Sequence, residues 1–494
     1  MKRQKVLFLD RKSAISLQVQ LAAQFKKLIR DGELNAGDPV PSTRELAADL
    51  KVSRNTVVHA FERLVSEGYL DSRERSGIFV SETAPALRSA ARPSAARPGA
   101  IAEGRRGAAA LRALHMRIPD ATPSKGPRPF RPCQPDVHLF PLVMWNRLRG
   151  KVLRSTDRDL LHYHAEAALG FKPLRETLAA YLRDSRGVVC EWWQIAITSG
   201  SQQALHLLAQ LLLKPGDAVW MEEPGYVGAV RAWKSADAAI QYFPVDGNGM
   251  NAPPLDAQSG PVSIVYVTPS RQFPTGASLS LARRLALVNG AKAEAVAGRD
   301  TWIVEDDYDS EFRYIAPPLP SMQSLDSGNR VIYVGTFSKL LFPSLRLGYV
   351  VLPKTLVEPF HALKCTADEH GSLIDQATLA AFLESGGFYS HVRRCRRNYA
   401  ERQETFLGAI SKGSLPLDFR YRDGGMNLTG FLPTCTDDGA WSERLRAAGL
   451  DVPALSGYAE RPTEPGLVFG FTAFTPAQIR RGVERMLEMR PEIP

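Results

Sequence analysis

Two short apolar runs in the middle of this sequence, residues 302–304 and 331–334, each end abruptly at polar residues. Short apolar runs bounded by turn residues are typical of buried strands in a parallel sheet. The first run is followed by Asp306 and Tyr308, and the second is followed by Lys339. Because ligands of open α/β sheets bind beyond the carboxyl ends of such strands, these side chains are predicted to converge on one binding site.

The chemistry of these side chains indicates which ligand the site holds. Lys339 can form a Schiff base with an aldehyde, and Asp306 can keep a pyridine nitrogen protonated so that the ring withdraws electrons. Tyr308 can hydrogen-bond a ring hydroxyl, and Arg346, seven residues beyond the lysine, can hold a phosphate. Each residue alone could be a structural or solvated polar group. Together they predict a pyridoxal phosphate site with Lys339 as its catalytic residue.

Other strand ends supply further groups to this predicted site. Strand-like runs alternate with helical patterns through residues 129–494, which predicts an α/β domain with a mostly parallel sheet. The turn Gly200-Ser201-Gln202 opens an apolar helix, and a helix start of this kind offers free N–H groups to a phosphate. Tyr226 follows another strand-like run and could stack on an aromatic ring.

Basic residues are unevenly distributed along the chain. The formal net charge is +10, of which residues 1–83 carry +3 and residues 84–128 carry +7, so residues 129–494 are neutral. This asymmetry favours a polyanion-binding N-terminal region joined to an enzyme-like body.

Composition argues against several functional classes. No run of about 18 apolar residues is present, so no membrane span is predicted. The first apolar run, of four residues, is too short for the core of a signal peptide. The five cysteines are scattered without a CxxC pair, which predicts neither a disulfide framework nor a metal site and favours a cytoplasmic protein.

Residues 1–83 show the pattern of a helix-turn-helix module. A helical stripe covers residues 15–29. Ser42 and Ser53 are predicted to cap two further helices, which a short turn at residues 51–53 separates. Residues 71–80 are predicted to form a small hairpin with Gly77 near its tip.

The second capped helix carries the residues expected to contact DNA bases. In helix-turn-helix proteins the first residues of this helix reach base edges in the major groove, and here they are Arg54, Asn55 and Thr56. Arginine can pair with guanine and asparagine with adenine. Arg44 is placed for a phosphate, and Arg73 or Arg75 in the hairpin for the DNA backbone or minor groove. The alternative, a protein-docking module of three helices, is disfavoured by the local charge excess.

Residues 84–128 are predicted to be a flexible linker, because they are rich in Ala, Pro and Arg and poor in aromatic and β-branched residues. A flexible chain of about 45 residues spans on the order of 35–40 Å, enough to let the DNA module reach across a dimer. The nine basic residues of the linker could track DNA phosphates, or they could only keep the linker solvated.

Motifs in the N-terminal region resemble the winged helix-turn-helix of GntR-type repressors. They are Val40-Pro-Ser-Thr-Arg-Glu-Leu-Ala47, Val52-Ser-Arg-Asn-Thr-Val57, Glu67-Gly-Tyr-Leu70 and Ser76-Gly-Ile-Phe-Val80. The resemblance implies an α+β domain that binds double-stranded operator DNA. One departure is Arg75, where the family usually has a glycine in the wing. The predicted DNA-binding residues are Ser42, Arg44, Ser53, Arg54, Asn55, Thr56, Arg73 and Gly77.

Motifs in the body resemble the fold-type I aminotransferases. They include Ser199-Gly-Ser-Gln-Gln-Ala204, Glu223-Pro-Gly-Tyr226, Gln272-Phe-Pro-Thr-Gly276 and Gly335-Thr-Phe-Ser-Lys339. Together with the N-terminal module they are similar to the MocR/GabR/PdxR regulators. The resemblance implies a multidomain protein, in which an α+β winged helix-turn-helix precedes an α/β fold-type I domain with a small C-terminal α+β subdomain. It also implies a domain-swapped homodimer.

The same resemblance implies a role for each residue of the cofactor site. Lys339 would be the Schiff-base lysine, Asp306 would bind the pyridine nitrogen and Tyr308 the ring hydroxyl. Tyr226 would stack on the ring. The phosphate would be held by Gly200, Ser201, Gln202, Thr336 and Arg346.

Departures from the family pattern bear on the effector. Val468 stands where an arginine often grips a substrate carboxylate, and Gly228 where amino-acid-sensing members often have another arginine. Arg271 replaces the usual histidine, and either Arg271 or Arg461 could supply a different anchor. Tyr163, which would reach the partner's phosphate, is displaced from the family's tyrosine position.

Two functions remain open. The favoured one is a transcriptional regulator that binds pyridoxal phosphate and responds to it or to an amine effector. The alternative is a pyridoxal phosphate-dependent aminotransferase with an accessory DNA-binding module. Because Val468 and Gly228 remove carboxylate anchors, substrates would be held poorly, and the effector is predicted to be the cofactor itself or a non-standard amine. Residual aminotransferase activity stays open.

Overall fold

The computed structural model describes residues 7–13, 15–73, 77–82, 128–155, 158–163, 167–257, 260–315 and 319–490. The chain separates into two compact units, Met1–Ala102 and Glu103–Pro494. The predicted linker, residues 84–128, lies outside the described residues except for its last position.

Three helices and a hairpin form the N-terminal unit. They are α1 (Leu17–Arg30), α2 (Thr43–Asp49), α3 (Arg54–Ser66), β1 (Leu70–Arg73) and β2 (Gly77–Val80). Ser42 and Ser53 cap α2 and α3 as predicted, each accepting the backbone N–H three residues further on. The apolar faces of the helices meet in one core, where the rings of Phe25 and Phe61 pack edge to face with centroids 5.3 Å apart.

An eight-stranded mixed sheet lies at the centre of the C-terminal unit. Its strands are β3 (Ile195–Thr198), β4 (Ala218–Glu223), β5 (Ala239–Asp246), β6 (Gly249–Met250), β7 (Val262–Val267), β8 (Trp302–Asp307), β9 (Val331–Thr336) and β10 (Gly348–Val351). Their order is β3-β10-β9-β8-β7-β4-β5-β6. Only β10 and the short β6 run antiparallel to their neighbours, which confirms the mostly parallel sheet.

Helices pack on both faces of this sheet and on one another. They are α4 (Leu142–Arg154), α5 (Lys172–Arg186), α6 (Ser201–Leu212), α7 (Val227–Ser235), α8 (Leu281–Val296), α9 (Lys354–Asp368), α10 (Leu373–Glu384) and α11 (Gly387–Gly413). Leu208, Trp233 and Phe360 bury α6, α7 and α9 against one face, and Leu287 buries α8 against the other. Within the described ranges, no helix is both long and apolar enough to cross a membrane.

Side chains along β8 alternate between the two faces of the sheet. Val304 belongs to the core beneath α6, α7 and α9, and Ile303 to the core beneath α8. Because successive residues of a strand point to opposite faces, Asp306 shares the face of Val304 and Asp307 the face of Ile303.

A small C-terminal subdomain completes the unit, as predicted. It contains β11 (Asn427–Phe431), α12 (Asp438–Ala447), β12 (Gly466–Gly470) and α13 (Pro476–Leu487), and β11 pairs with β12 antiparallel. The apolar faces of α11 and α13 enter the same core through Phe406 and Val483.

Candidate functional site

The ends of β8 and β9 and the start of α6 border a cavity of about 170 Å³. Eight of the nine predicted cofactor residues line it: Ser201, Gln202, Tyr226, Asp306, Tyr308, Thr336, Lys339 and Arg346. The ninth, Gly200, lies beside Arg346, since a Cβ added at Gly200 would be 3.2 Å from the guanidinium carbon. The fold therefore brings the sequence-predicted residues together.

Two cations border the cavity. Lys339 follows β9, and its Nζ donates a hydrogen bond to the carbonyl oxygen of Cys133 at 3.0 Å. Arg346 adopts a left-handed backbone conformation with φ 53° and donates through Nη2 to the carbonyl oxygen of Ser199 at 2.7 Å. This places the guanidinium beside the N-terminus of α6, where free backbone N–H groups and the helix dipole attract anions. This end of the cavity suits a phosphate.

Asp306, at the end of β8, is 4% exposed. Its Oδ2 accepts a hydrogen bond from the Tyr266 hydroxyl at 2.8 Å, whereas Oδ1 has no hydrogen-bond partner among the described residues. Burial raises the pKa of the carboxyl group to about 7, although the Tyr266 bond and the charge of Lys339 lower it. A ligand with an N–H donor would complete the hydrogen bonding of Oδ1.

Aromatic side chains form another wall of the cavity. Phe273 packs edge to face against Tyr226 and against Tyr308, with ring centroids 5.9 Å apart in both pairs. The Tyr308 hydroxyl is buried and also lacks a hydrogen-bond partner within the described part of the chain. A ligand hydroxyl could pair with it.

These unsatisfied atoms fit pyridoxal phosphate. Buried polar atoms in proteins are nearly always hydrogen-bonded, and the free oxygens of Asp306 and Tyr308 belong to the residues expected to bind the ring nitrogen and ring hydroxyl. Lys339, the aromatic wall and Arg346 provide the remaining groups. When bound, the cofactor supplies an aldehyde that reacts with amines and a ring that withdraws electrons.

Five residues that line the cavity have no role predicted from the sequence: Cys133, Tyr266, Thr268, Phe273 and Ser338. Tyr266 could have been found, because it is the penultimate residue of a buried apolar strand that ends at the same sheet edge. No local pattern marks Cys133, which lies 206 residues before Lys339 in the sequence.

Arg271, a candidate effector anchor, does not line this cavity. Its guanidinium is 6% exposed, donates to the carbonyl oxygen of Asn427 at 2.7 Å and lies 3.3 Å from Asp423 and 3.8 Å from Asp309. It is therefore held by two carboxylates and a carbonyl group. Arg461, the other candidate, also lies outside the lining.

Packing accounts for the absence of an arginine at both positions, 228 and 468. A Cβ at Gly228 would lie 2.4 Å from Cζ of Tyr226, so a side chain there would displace that ring. Val468 is fully buried in an apolar cluster with Phe431 and Leu455. Tyr163 is 86% exposed, and its ring contacts His370 rather than the cavity.

The predicted DNA-reading residues lie at the start of α3. Arg54 and Asn55 are exposed, and the Thr56 hydroxyl lies 2.8 Å from the Ser53 hydroxyl that caps the helix. Arg44 is exposed in the first turn of α2. In the hairpin, the backbone of Arg73 pairs with that of Gly77, which has a φ of 102°, and Arg75 lies outside the described residues.

Two family models match this chain. The model described as bacterial regulatory proteins, gntR family, matches residues 17–80. The model described as aminotransferase class I and II matches residues 167–453, which is more than half of the chain.

Transcriptional regulators from bacteria are similar to this chain over nearly its whole length. The probable rhizopine catabolism regulatory protein MocR of Rhizobium meliloti is 37% identical over 97% of this chain and 95% of its own. The transcriptional regulator TauR of Rhodobacter capsulatus is 36% identical over 95% of this chain and 92% of its own. The chain belongs to the MocR-type GntR regulators. Membership of this family confirms the resemblance found in the sequence motifs.

The C-terminal unit of this MocR-type chain has the fold-type I aminotransferase fold. It is similar to the crystal structure of a kynurenine aminotransferase from Pyrococcus horikoshii, with a TM-score of 0.68 and 27% identity over 76% of this chain and 95% of that one. That structure is a complex with PMP. Family and fold together give pyridoxal phosphate as the cofactor of this MocR-type protein.

Proposed function

We propose that this MocR-type protein is a cytoplasmic transcriptional regulator that binds operator DNA through residues 1–83. Residues 129–494 sense pyridoxal phosphate or an amine that reacts with it. The observation that carries the proposal is the cavity in which Lys339, Asp306 and Tyr308 meet, in a chain that also has a gntR module.

Each residue has a distinct task in this proposal. Lys339 would supply the amine that condenses with the aldehyde, whose oxygen would leave as water. For this, its Nζ would have to be unprotonated and released from its hydrogen bond to the carbonyl oxygen of Cys133. Asp306 would accept a hydrogen bond from the protonated ring nitrogen at Oδ1, and Tyr308 would pair with the ring hydroxyl. Arg346 holds the phosphate at the start of α6.

The lining of the cavity supports an effector without a carboxylate group. Among the described residues that line it, the cations are Lys339 and Arg346, and the phosphate engages the second of these. Arg271 is already paired with Asp309 and Asp423. The effector is therefore the cofactor itself or an amine that carries no carboxylate.

Effector binding is proposed to act on a domain-swapped homodimer. An amine that replaces Lys339 on the cofactor changes the charge and hydrogen bonds of the cavity and can bias two dimer conformations. Exposed apolar side chains in one short region support self-association: Val137, Leu142, Val143, Leu153, Leu161 and Tyr163.

Operator affinity measured with and without ligands tests this function. A DNA fragment is first selected from a random pool with the full-length protein, and its Kd is then measured for the apoprotein, with pyridoxal phosphate, and with a panel of amines and α-amino acids. We expect pyridoxal phosphate, or an amine added with it, to change the Kd by about fivefold or more. Lys339→Ala should abolish the response and the visible absorbance of the lysine-bound cofactor. An unchanged Kd, or an unaltered Lys339→Ala spectrum, would contradict the proposal.

The amine panel separates this function from the aminotransferase alternative. If a common α-amino acid alters both the spectrum and the operator Kd at micromolar concentration, the inference from Val468 and Gly228 is wrong. Multiple turnovers of such an amino acid with a keto acid would favour the aminotransferase.

A further inference from the structure

Tyr266 is a fully buried tyrosine whose hydroxyl contacts the carboxylate of the cofactor site. It lies on β7, and its ring packs against Trp233 with centroids 6.0 Å apart. We infer that Tyr266 is a positioning residue for the cofactor, because its hydroxyl holds Oδ2 of Asp306, favours the charged form of that carboxyl group and leaves Oδ1 available to the ring nitrogen. The inference rests on the proposed function of the cavity.

Strand register explains how the two side chains meet. Tyr266 pairs with Val304 across β7 and β8, two residues before Asp306 on the same face of the sheet. Diagonal neighbours of this kind are within reach of a long aromatic side chain. Since Oδ2 is engaged at 2.8 Å by the Tyr266 hydroxyl, rotation of the carboxylate is restricted and Oδ1 remains the oxygen without a protein partner.

The Tyr266 hydroxyl also affects the protonation of Asp306. The Tyr266 bond lowers a pKa that burial has raised to about 7, so its loss leaves more of the carboxyl group neutral at neutral pH. A neutral carboxyl group holds a protonated ring nitrogen less well than a carboxylate does. The other titratable groups that act on Asp306 are Lys339, Asp307, Glu222, Tyr226 and Tyr308.

The neighbouring strand offers a matched control. Tyr333 on β9 is 1% exposed and donates its hydroxyl to Oδ2 of Asp307 at 2.6 Å, on the opposite face of the sheet. Tyr333 does not line the cavity. Tyr333→Phe therefore removes the same atom from an equally buried tyrosine–aspartate pair outside the cofactor site.

The test measures the Kd of pyridoxal phosphate from mildly acidic to mildly alkaline pH, by equilibrium dialysis and visible absorbance. Tyr266→Phe should weaken binding about tenfold at neutral pH, as expected for loss of a hydrogen bond to a charged group. It should also move the midpoint of the pH dependence upward. Tyr333→Phe should leave both unchanged. Glu222, whose pKa burial also raises to about 7, is retained in both variants, and the Asp306→Asn variants described next separate its titration from that of Asp306.

A second comparison removes the carboxylate altogether. In Asp306→Asn, the further change Tyr266→Phe should not alter the Kd, because no charged group remains for the hydroxyl to stabilise. The comparison of Asp306→Asn with the double variant tests the inference even if Tyr266→Phe alone folds poorly. The inference about Tyr266 would be wrong if Tyr266→Phe and Tyr333→Phe changed the Kd equally, or if Tyr266→Phe weakened binding further in the Asp306→Asn background. Either result would leave the proposed function standing. Failure of the unaltered protein to bind the cofactor would overturn the proposed function as well.

Discussion

Asp306 and Asp307 are adjacent buried carboxylates at the end of β8 that differ in their partners. Each accepts a hydrogen bond from a tyrosine on a flanking strand, Asp306 from Tyr266 and Asp307 from Tyr333. Asp307 is also bound by the Arg186 guanidinium, with N–O distances of 2.8 and 2.7 Å. The carboxylate of Asp306 has no ion pair among the described residues, and one of its oxygens has no partner.

Under the proposed function, this one dipeptide serves stability through Asp307 and binding through Asp306. Buried polar networks stabilise a fold when every member is satisfied, and they are costly when a member is not. On the α8 face the charge of Asp307 is neutralised by Arg186 within the fold. On the cavity face Asp306 depends on a ligand for its last partner.

Removing the satisfied carboxylate should have the largest effect. Asp307→Ala is expected to lower the free energy of unfolding by about 3–5 kcal/mol, because it leaves the buried guanidinium of Arg186 without its counter-charge. Chemical denaturation of the apoprotein, followed by tryptophan fluorescence, measures this change. The double variant Asp307→Ala/Arg186→Leu should recover part of the loss. If Asp307→Ala left the unfolding midpoint unaltered, Asp307 would not have the stabilising role that distinguishes it from Asp306.

Changing the unsatisfied carboxylate should act on the ligand instead. Asp306→Asn is expected to weaken pyridoxal phosphate binding by about a hundredfold, since a charge-assisted hydrogen bond to the ring nitrogen is lost. Without cofactor the variant should unfold at the same denaturant concentration as the unaltered protein or a higher one. A cofactor Kd that stays the same while the apoprotein is destabilised would reverse the roles assigned to the two residues.

Much of this site could be predicted from the sequence, because its residues follow apolar runs that end at one sheet edge. Asp306 and Lys339 are of this kind. Tyr266 was not predicted, because a tyrosine within a buried strand has the pattern of a core residue, although its position next to the end of the strand places it at the same sheet edge. The hydrogen bonds and ion pairs of Arg271 could not be predicted from the sequence either. Its partners Asp423 and Asn427 lie about 150 residues away and contact it only through tertiary packing.

The antiparallel strand β10 was also not predicted. Its four residues are all buried, so they show no alternation of apolar and polar side chains that would indicate direction or neighbours. The helices and the hairpin of the N-terminal unit were easier to predict, because the sequence patterns that indicate them are local. The caps at Ser42 and Ser53 and the hairpin near Gly77 each depend on residues a few positions apart.

Two arginines in the N-terminal unit allow a similar comparison, in which the expected effects on DNA binding are smaller. Arg54 and Arg44 are both exposed in the first turn of a helix. Arg54→Ala should reduce affinity for the selected operator about tenfold and flatten the preference over random DNA, because a base contact is lost. Arg44→Ala should weaken all sequences alike and lower the slope of log Kd against log salt by about one. Interchanged results would place Arg44 at the bases.

The smallest expected effect is on the pH dependence of stability, and it concerns Asp306. Burial raises its pKa from 3.8 to about 7, so between these values the folded apoprotein binds more protons at this site than the unfolded chain. Its contribution to stability therefore falls as pH rises through that window. Because an asparagine side chain cannot ionise, Asp306→Asn should gain a few degrees in Tm relative to the unaltered protein as pH rises from about 4 to about 7. Glu222, Glu305 and Asp309 have pKa values raised by burial in both proteins, so the comparison uses only the difference in Tm. A difference that does not change with pH would show that Asp306 is already paired in the apoprotein, as Asp307 is.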